Sequence, residues 1–208
     1  MAHQEKSKTI RPQGQETRQR ILKTAERCFN LLGYEATGVA EICRSAGISK
    51  GALYHHFSGK QAIFVELFDS YMKALIAEMQ QIADRSPSVP EALQSLVATA
   101  GVVLESAADR LPLFFEFLTK AAREPEVWKL TTAPYGQFRA FYTRLIRRGI
   151  EEGTLKPVDP ADIARIIVCF GVGLVAQGLF DPAGADWTET GMKGMKLILD
   201  NIRKGAAA

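Results

Sequence analysis

Five residues in one short segment have side chains that could contact the edges of nucleic-acid bases. They comprise a cation, two small residues and two planar side chains with polar edges, namely Lys50, Gly51, Ala52, Tyr54 and His55. Small residues let a backbone approach a partner, and polar groups can hydrogen-bond base edges in a major groove about 12 Å wide. This chemistry indicates binding to double-stranded DNA. The alternative left open is a helical pair buried in a larger core.

The elements that must position these residues are two short helices joined by a tight turn, over residues 38–57. In the first helix, apolar residues recur at i, i+3, i+4 and i+7, at Val39, Ile42, Cys43 and Ala46. Gly47 can supply the left-handed backbone that ends this helix, and Ser49 can cap the next one. Leu53 and Phe57 lie four residues apart and can anchor the second helix to a core. This spacing predicts a helix-turn-helix.

The run from Thr17 to about Phe68 resembles the DNA-binding domain of the TetR family of bacterial transcriptional regulators. The resemblance is carried by GYEATGVAEI and by AGISKGALYHHFSGKQAIF, which includes the family's Leu-Tyr-x-His-Phe recognition helix and a Lys three residues later. One departure is Gly38, where the family usually has Ser or Thr. Glycine is an acceptable helix cap but lacks a hydroxyl that could bind a phosphate.

The predicted DNA contacts fall into two groups. Phosphates would be held by Lys60, by the hydroxyls of Thr37, Ser49 and Tyr54, and by backbone N–H groups near Val39 and Lys50. Base edges would face Lys50, Gly51, Ala52 and His55. The resemblance further implies that Tyr54 and His56 touch the DNA backbone, although His56 beside Phe57 could instead pack to hold the helix.

The charge distribution agrees with DNA binding by the N-terminal part alone. Residues 1–60 hold 10 Lys/Arg and 5 Asp/Glu, whereas residues 61–208 hold 16 and 18. A basic part attached to a near-neutral body is the electrostatic footprint of phosphate binding by that part. Chance clustering on a solvated face is the alternative.

The predicted fold class is all-α, because no run alternates convincingly with period two. Residues 1–15 are polar and predict a disordered basic tail. Residues 16–62 form the predicted three-helix DNA-binding domain, with its first helix capped by Thr17. Residues 63–208 form a larger helical domain for effector binding and dimerisation. A long helix from Gln61 to near Pro87 would link the two domains.

Later in the chain, capping residues and prolines predict further helices. Ser88 opens one helix, and Pro112 and Pro125 belong in the first turns of the next two. Pro134 and Gly136 are expected to interrupt the helix that follows Pro125, with helix resuming from 137.

Aromatic residues concentrate in the middle of the larger domain and suggest an apolar pocket. The candidate lining residues are Leu113, Phe114, Phe117, Leu118, Trp128, Phe138, Phe141 and Tyr142. Such a stripe is also what a protein core needs, so core packing is the alternative for each of them. The family resemblance implies that a small-molecule effector, here hydrophobic and of unknown identity, binds in this domain.

The last two helices carry the expectation of a homodimer, because the family pairs them with their copies as a four-helix bundle. Residues 163–180 are apolar on most sides. Their length raises the question of a membrane span, but Arg165 and Gln177 interrupt them, so a helix at a protein interface is preferred. The interface residues proposed on this basis are Ile167, Phe170, Gly171, Leu174, Met195 and Leu199. Packing within the chain alone is the alternative for these helices.

Enzymatic activity is the rival class of function. Histidine occurs only at positions 3, 55 and 56, so the larger domain has no imidazole for acid–base chemistry or metal binding. The three scattered cysteines, Cys28, Cys43 and Cys169, lie in apolar helical patterns without a C-x-x-C, which suggests buried reduced thiols and a cytoplasmic protein. We therefore expect no enzyme activity, metal or cofactor. The expected function is a repressor that binds a palindromic operator as a dimer and is released by its effector, and an architectural DNA-binding protein without a ligand is the alternative.

Overall fold

The computed structural model describes residues 12–107 and 111–205, and the side chains of residues 12, 13, 100–107, 111–114, 120, 131 and 134 lie outside this description. The described residues form nine α-helices. They are α1 (Pro12–Leu32), α2 (Val39–Ala46), α3 (Lys50–His56), α4 (Lys60–Arg85), α5 (Val89–Ala107), α6 (Leu111–Ala121), α7 (Pro125–Glu151), α8 (Pro160–Phe180) and α9 (Trp187–Ile202). Apart from one isolated bridge between Leu155 and Arg203, these ranges contain no β-structure. The all-α prediction is confirmed.

Polar caps decide where several helices begin. The Asp159 carboxylate accepts hydrogen bonds from the backbone N–H groups of Ala161 and Asp162, at 2.7 and 3.2 Å, and so starts α8. Asp186 accepts from the N–H of Glu189 at 2.8 Å and starts α9. Each carboxylate satisfies donors that have no partner inside the first helical turn.

Two helix boundaries differ from the predictions. The first helix begins at Pro12 rather than Thr17, so residues 12–15 belong to α1 and not to a tail; proline is tolerated there because the first helical turn needs no N–H donor. The rest of the predicted tail lies outside the described residues. Helix α7 runs through Pro134 and Gly136 without the predicted interruption. A proline removes only one helical hydrogen bond, and this stretch of α7 is mostly exposed, so water can serve the unpaired carbonyl.

The chain divides into two compact units, Met1–Phe68 and Asp69–Ala208. The division falls inside α4, later than the predicted boundary after residue 62. In the N-terminal unit, fully buried side chains from α1, the loop before α2, α2, α3 and the start of α4 form the core, including Ile21, Phe29, Tyr34, Ile42, Leu53 and Ile63. The rings of Phe29, Tyr34 and Phe64 pack against one another with centroids 5.3 to 5.6 Å apart.

The C-terminal unit has one continuous core that draws on α4, α5, α7, α8 and α9. Its buried members include Leu93, Phe141, Ile146, Ile167, Met195 and Leu199. Helices α8 and α9 approach closely because α9 carries glycines at the contact. A Cβ at Gly194 would lie 2.1 Å from the ring of Phe170, and one at Gly191 would lie 3.2 Å from Leu174.

Candidate nucleic-acid interface

The turn between α2 and α3 is fixed by backbone geometry and by one side-chain cap. Gly47 adopts the left-handed conformation with φ 63°, and the N–H of Ile48 donates to the carbonyl of Cys43 at 3.0 Å. Ser49 Oγ accepts a hydrogen bond from the N–H of Ala52 at 3.1 Å. These contacts set the direction in which α3 leaves the turn.

Helix α3 is held by one side and open on the other. Leu53 is 0% exposed and Phe57 is 4% exposed, so both are anchored in the core of the N-terminal unit. Tyr54 is 55% exposed, and the side chains of Lys50 and His55 also face solvent. Gly51 is exposed and Ala52 is half-buried. The five α3 residues predicted to contact base edges or phosphates therefore lie on a short helix, and their polar groups are accessible.

The start of α2 and the cap of α3 are suited to holding phosphates. The cap of α2 is Gly38, which offers no side-chain hydrogen bond to the first N–H groups near Val39. Such N–H groups at a helix start favour an anion. The exposed hydroxyl of Ser49 accepts from its own helix, and a hydroxyl can at the same time donate outward.

The structure removes Thr37 from the predicted set of phosphate contacts. Its side chain is fully buried, and its hydroxyl donates to the carbonyls of Gly33 at 2.7 Å and Cys28 at 3.1 Å. The hydroxyl therefore closes the end of α1 onto the loop before α2. It is not available to a phosphate because its donor is used inside the fold.

Lys60 also has an internal role in this structure. Its ammonium donates to the carbonyls of Tyr34 at 2.8 Å and Glu35 at 3.1 Å, and it lies 4.5 Å from the centroid of the Tyr34 ring. A carboxylate oxygen of Glu35 is 3.8 Å away. A phosphate would have to compete with these groups, so we interpret Lys60 first as the residue that ties the loop before α2 to α4.

His56 lies at the edge of the interface and is half-buried, unlike its exposed neighbour His55. The two rings are in edge-to-face contact, with centroids 5.1 Å apart. Burial lowers the pKa of His56, and the charges of His55 and Arg18 lower it further. The neutral imidazole is therefore favoured at neutral pH, and a neutral ring adds no charge attraction to a phosphate.

The predicted dimer residues are mostly committed to the chain's own core. Ile167, Met195 and Leu199 are at most 3% exposed, so they are corrected to core residues. Phe170 and Leu174 pack against the glycines of α9, and Gly171 has nothing within 4 Å of where a Cβ would stand. Sequence periodicity marked α8 as apolar on most sides but could not say which side faces inward.

The apolar surface that remains open on α8 lies on the other side of the helix. Ile166 is 51% exposed, Val172 41% and Phe180 76%. Cys169 is exposed beside them, contrary to the burial predicted for it, whereas Cys28 and Cys43 are buried. By length and composition α8 would suffice to cross a membrane, and 11% of its most apolar window is buried in the chain. These exposed residues were missed because an all-round apolar helix gives no periodic signal.

The structure describes the side chains of six of the eight predicted pocket residues, and several of them belong to the core. Phe117, Phe141 and Tyr142 are buried, and the last two belong to the core, where their rings are 5.2 Å apart. Phe138 packs on the same core, with its ring centroid 5.4 Å from that of Tyr142. Trp128 is 42% exposed and Leu118 is half-buried. The side chains of Leu113 and Phe114 lie outside the described residues.

An open groove of about 890 Å³ lies between α7 and α8. Three cations, Lys129, Arg139 and Arg165, lie along it, and its other walls are mostly small or apolar residues with the hydroxyls of Thr132 and Tyr135 among them. It includes Cys169 and Val172 of the exposed α8 surface. None of the predicted effector residues whose side chains are described lines it. In the described parts of the chain, no three His, Cys, Asp or Glu side chains cluster as a metal site requires.

Comparisons with known proteins agree with this geometry. Residues 21–67 match the profile of bacterial regulatory proteins of the tetR family, and residues 90–193, half of the chain, match the C-terminal part of BetI-type transcriptional repressors. The HTH-type transcriptional regulator YfiR of Bacillus subtilis is 28% identical over 169 residues, covering 80% of this chain and 82% of its own. The HTH-type transcriptional repressor KstR2 of Mycobacterium tuberculosis is 28% identical over 143 residues, covering 69% and 71%.

Solved structures show the same fold. The SmeT–triclosan complex superposes with a TM-score of 0.75 at 22% identity, covering 92% of this chain and 93% of SmeT. The two profile matches fall on the helix-turn-helix unit and on the stretch from α5 into α9. The chain belongs to the TetR family of bacterial transcriptional regulators.

Proposed function

We propose that the protein is a cytoplasmic repressor, not an enzyme, that binds a two-fold symmetric operator as a homodimer and is released by a small molecule. The observation that carries this proposal is the division of α3 into an anchored side and an open side. Leu53 and Phe57 fix the helix, while Lys50, Tyr54 and His55 remain accessible. A short helix presented in this way can enter a major groove.

The contacts divide into those that position the protein and those that read sequence. Lys50, Gly51, Ala52 and His55 would meet base edges, and Ser49, Tyr54 and the N–H groups at Val39 would hold phosphates. A direct test is selection of bound sites from random DNA by the purified protein. Recovery of an inverted repeat with half-sites about 34–36 Å apart would support the proposal, and recovery of no preferred sequence would contradict it.

The second copy is proposed to cover the exposed α8 surface formed by Ile166, Cys169, Val172 and Phe180. Large exposed apolar patches mark protein interfaces, and a two-fold axis would bring this surface against itself. Exposed Cys169 provides a probe, because a short bismaleimide would link two chains only if their α8 helices meet.

We expect rapid cross-linking of the wild type and none in a Cys169→Ser variant. Val172→Glu should convert the protein to a monomer in sedimentation velocity, because it places a charge in the proposed interface. Arg144 lies outside this surface, so Arg144→Glu should leave the protein dimeric. A monomeric wild type would contradict the dimer.

Release by a small molecule is proposed from the family and from SmeT, whose complex contains triclosan. An effector that binds the protein more tightly with α4 in one position would increase the population of that state. The change in DNA affinity is limited by the difference between the effector's affinities for the two states. A thermal-shift screen of hydrophobic compounds, followed by DNA titration with each binder, tests this. Binders that leave DNA affinity unchanged would favour the alternative of a regulator, or an architectural DNA-binding protein, without a ligand.

A further inference from the structure

Arg18 lies where three helices of the N-terminal unit meet. It belongs to α1, and its two terminal nitrogens donate to the two carboxylate oxygens of Glu66 in α4. Its guanidinium carbon is 4.6 Å from the centroid of the Phe57 ring. One side chain therefore contacts both α4 and the residue that follows α3.

Phe57 transmits this contact to the recognition helix. Its N–H donates to the carbonyl of Leu53 at 2.9 Å, and its ring is 4% exposed. The ring therefore moves with the last turn of α3. The guanidinium stacks on this buried ring and makes two hydrogen bonds to one carboxylate. Together these contacts fix both the position and the orientation of the guanidinium.

We propose that Arg18 is a positioning residue for DNA recognition, which holds the last turn of α3 in register with α4 through its ion pair with Glu66. The proposal rests on the proposed DNA-reading role of α3 and assigns no DNA contact to Arg18 itself. It identifies Arg18 as the link through which the position of α4 affects the position of α3.

The ion pair is one of two attachments between α4 and the segment that contains α2 and α3. Lys60, at the start of α4, holds the loop before α2 through the carbonyls of Tyr34 and Glu35. Arg18 and Glu66 hold the opposite end of the helix-turn-helix, after α3. The segment that contains α2 and α3 is thus attached to α4 at both ends. A displacement of α4 at Glu66 would therefore be passed to α3 through Arg18.

The pair is also accessible enough to be adjustable. The side chains of Arg18 and Glu66 are 30% and 29% exposed, so neither charge is fully desolvated. Breaking the pair should therefore leave the fold intact while loosening the position of α3. Small displacements of recognition groups lower specific binding, whereas attraction to phosphates depends mainly on net charge.

The test compares Glu66→Gln with Asp69→Asn on two DNA fragments. One fragment is selected by the wild type from a random pool, and the other is an unselected fragment of equal length. Both variants remove one negative charge from α4, but Asp69 pairs with Lys73 of the same helix, at 2.7 Å. We expect Glu66→Gln to raise the Kd for the selected fragment about fivefold or more without raising the Kd for the unselected one. Asp69→Asn should leave both within about twofold.

Arg18→Lys is the second variant, because it keeps the charge but cannot form two parallel bonds. It should also lower affinity for the selected fragment alone, with helical content unchanged in circular dichroism. The proposal is overturned if Glu66→Gln behaves as Asp69→Asn does, if it weakens both fragments equally, or if both Glu66→Gln and Arg18→Lys fail to fold. If the wild type selects no sequence, the proposed DNA-reading function itself fails, and this inference fails with it.

Discussion

Arg148 of α7 donates a 2.9 Å hydrogen bond to the carbonyl of Ala83, in the last turn of α4. The same guanidinium lies 3.6 Å from Asp84 and 3.2 Å from Glu152. The last carbonyls of a helix have no partner inside it, and a cation at this end also complements the helix dipole. Within the C-terminal unit, Arg148 therefore fixes the end of α4.

We predict that Arg148→Met lowers the free energy of unfolding by about 1–2 kcal/mol, because a charged donor to the Ala83 carbonyl is lost from a partly exposed site. Arg147→Met is the control, since Arg147 is the exposed neighbour on the same helix. Urea unfolding monitored by circular dichroism measures both. Equal stability of the two variants would refute the role assigned to Arg148.

Lys60→Met should also act on stability. Its stem still covers the Tyr34 ring, but the hydrogen bonds to the carbonyls of Tyr34 and Glu35 disappear, at a cost of about 1–2 kcal/mol. Lys50→Met should leave unfolding unchanged and weaken DNA binding instead, because Lys50 is exposed. If Lys60→Met lowers the salt slope of DNA binding by about one unit with unaltered stability, the phosphate role predicted from sequence is the correct one.

His55→Ala should change the preferred base at one position of each half-site. A lost base-edge contact of this kind costs about 1–3 kcal/mol of discrimination. Tyr54→Phe removes only a hydroxyl from the neighbouring exposed side chain and should weaken all sequences alike. Binding to a library of single-base variants of the selected site distinguishes the two. A uniform loss for both variants would show that His55 does not read bases.

The lowered pKa of His56 gives stability a defined pH dependence. The unfolded chain binds this proton more readily than the folded one, because burial lowers the folded pKa below its ordinary value of 6.5. The contribution of His56 is therefore complete above pH 6.5 and declines as the pH falls through the folded pKa. Titration by NMR should show the pKa of His56 below the ordinary histidine value of 6.5. In His56→Gln, unfolding should depend less on pH in this window.

Two glycines of α7 should respond oppositely to alanine. A Cβ at Gly149 would lie 2.6 Å from Leu155 Cδ1 and 3.0 Å from Val89 Cβ, so Gly149→Ala should destabilise by about 1–3 kcal/mol. At Gly136, no atom of the described residues lies within 4 Å of that position. Gly136→Ala should stabilise by up to about 1 kcal/mol through helix propensity. Thermal unfolding of both variants measures the difference, and destabilisation by Gly136→Ala would contradict the observed continuity of α7.

The parts of the fold that local chemistry determines could be predicted from the sequence. Gly47, Ser49 and Asp159 end or begin helices for reasons that involve only a few neighbouring residues, and the structure has each of them in that role. The open side of α3 was also predictable, because Leu53 and Phe57 define its buried side.

Long-range packing could not be predicted in the same way. The hydroxyl of Thr37 and the ammonium of Lys60 looked available in the sequence, since nothing local shows that carbonyls of Cys28 and Tyr34 would take their hydrogen bonds. For α8 the residue pattern is apolar on most sides. Only its contacts show that Ile167 packs inward while Ile166 is open.

The hydrogen bonds of Lys60 have a consequence for experiments in salt. Its two short bonds end on uncharged carbonyl oxygens, so added ions screen them far less than they screen attraction to phosphates. Buffers concentrated enough to strip the protein from nucleic acid should therefore leave the loop before α2 in place. Protein purified at high ionic strength should then keep this loop of the N-terminal unit in place and bind DNA again once the salt is diluted.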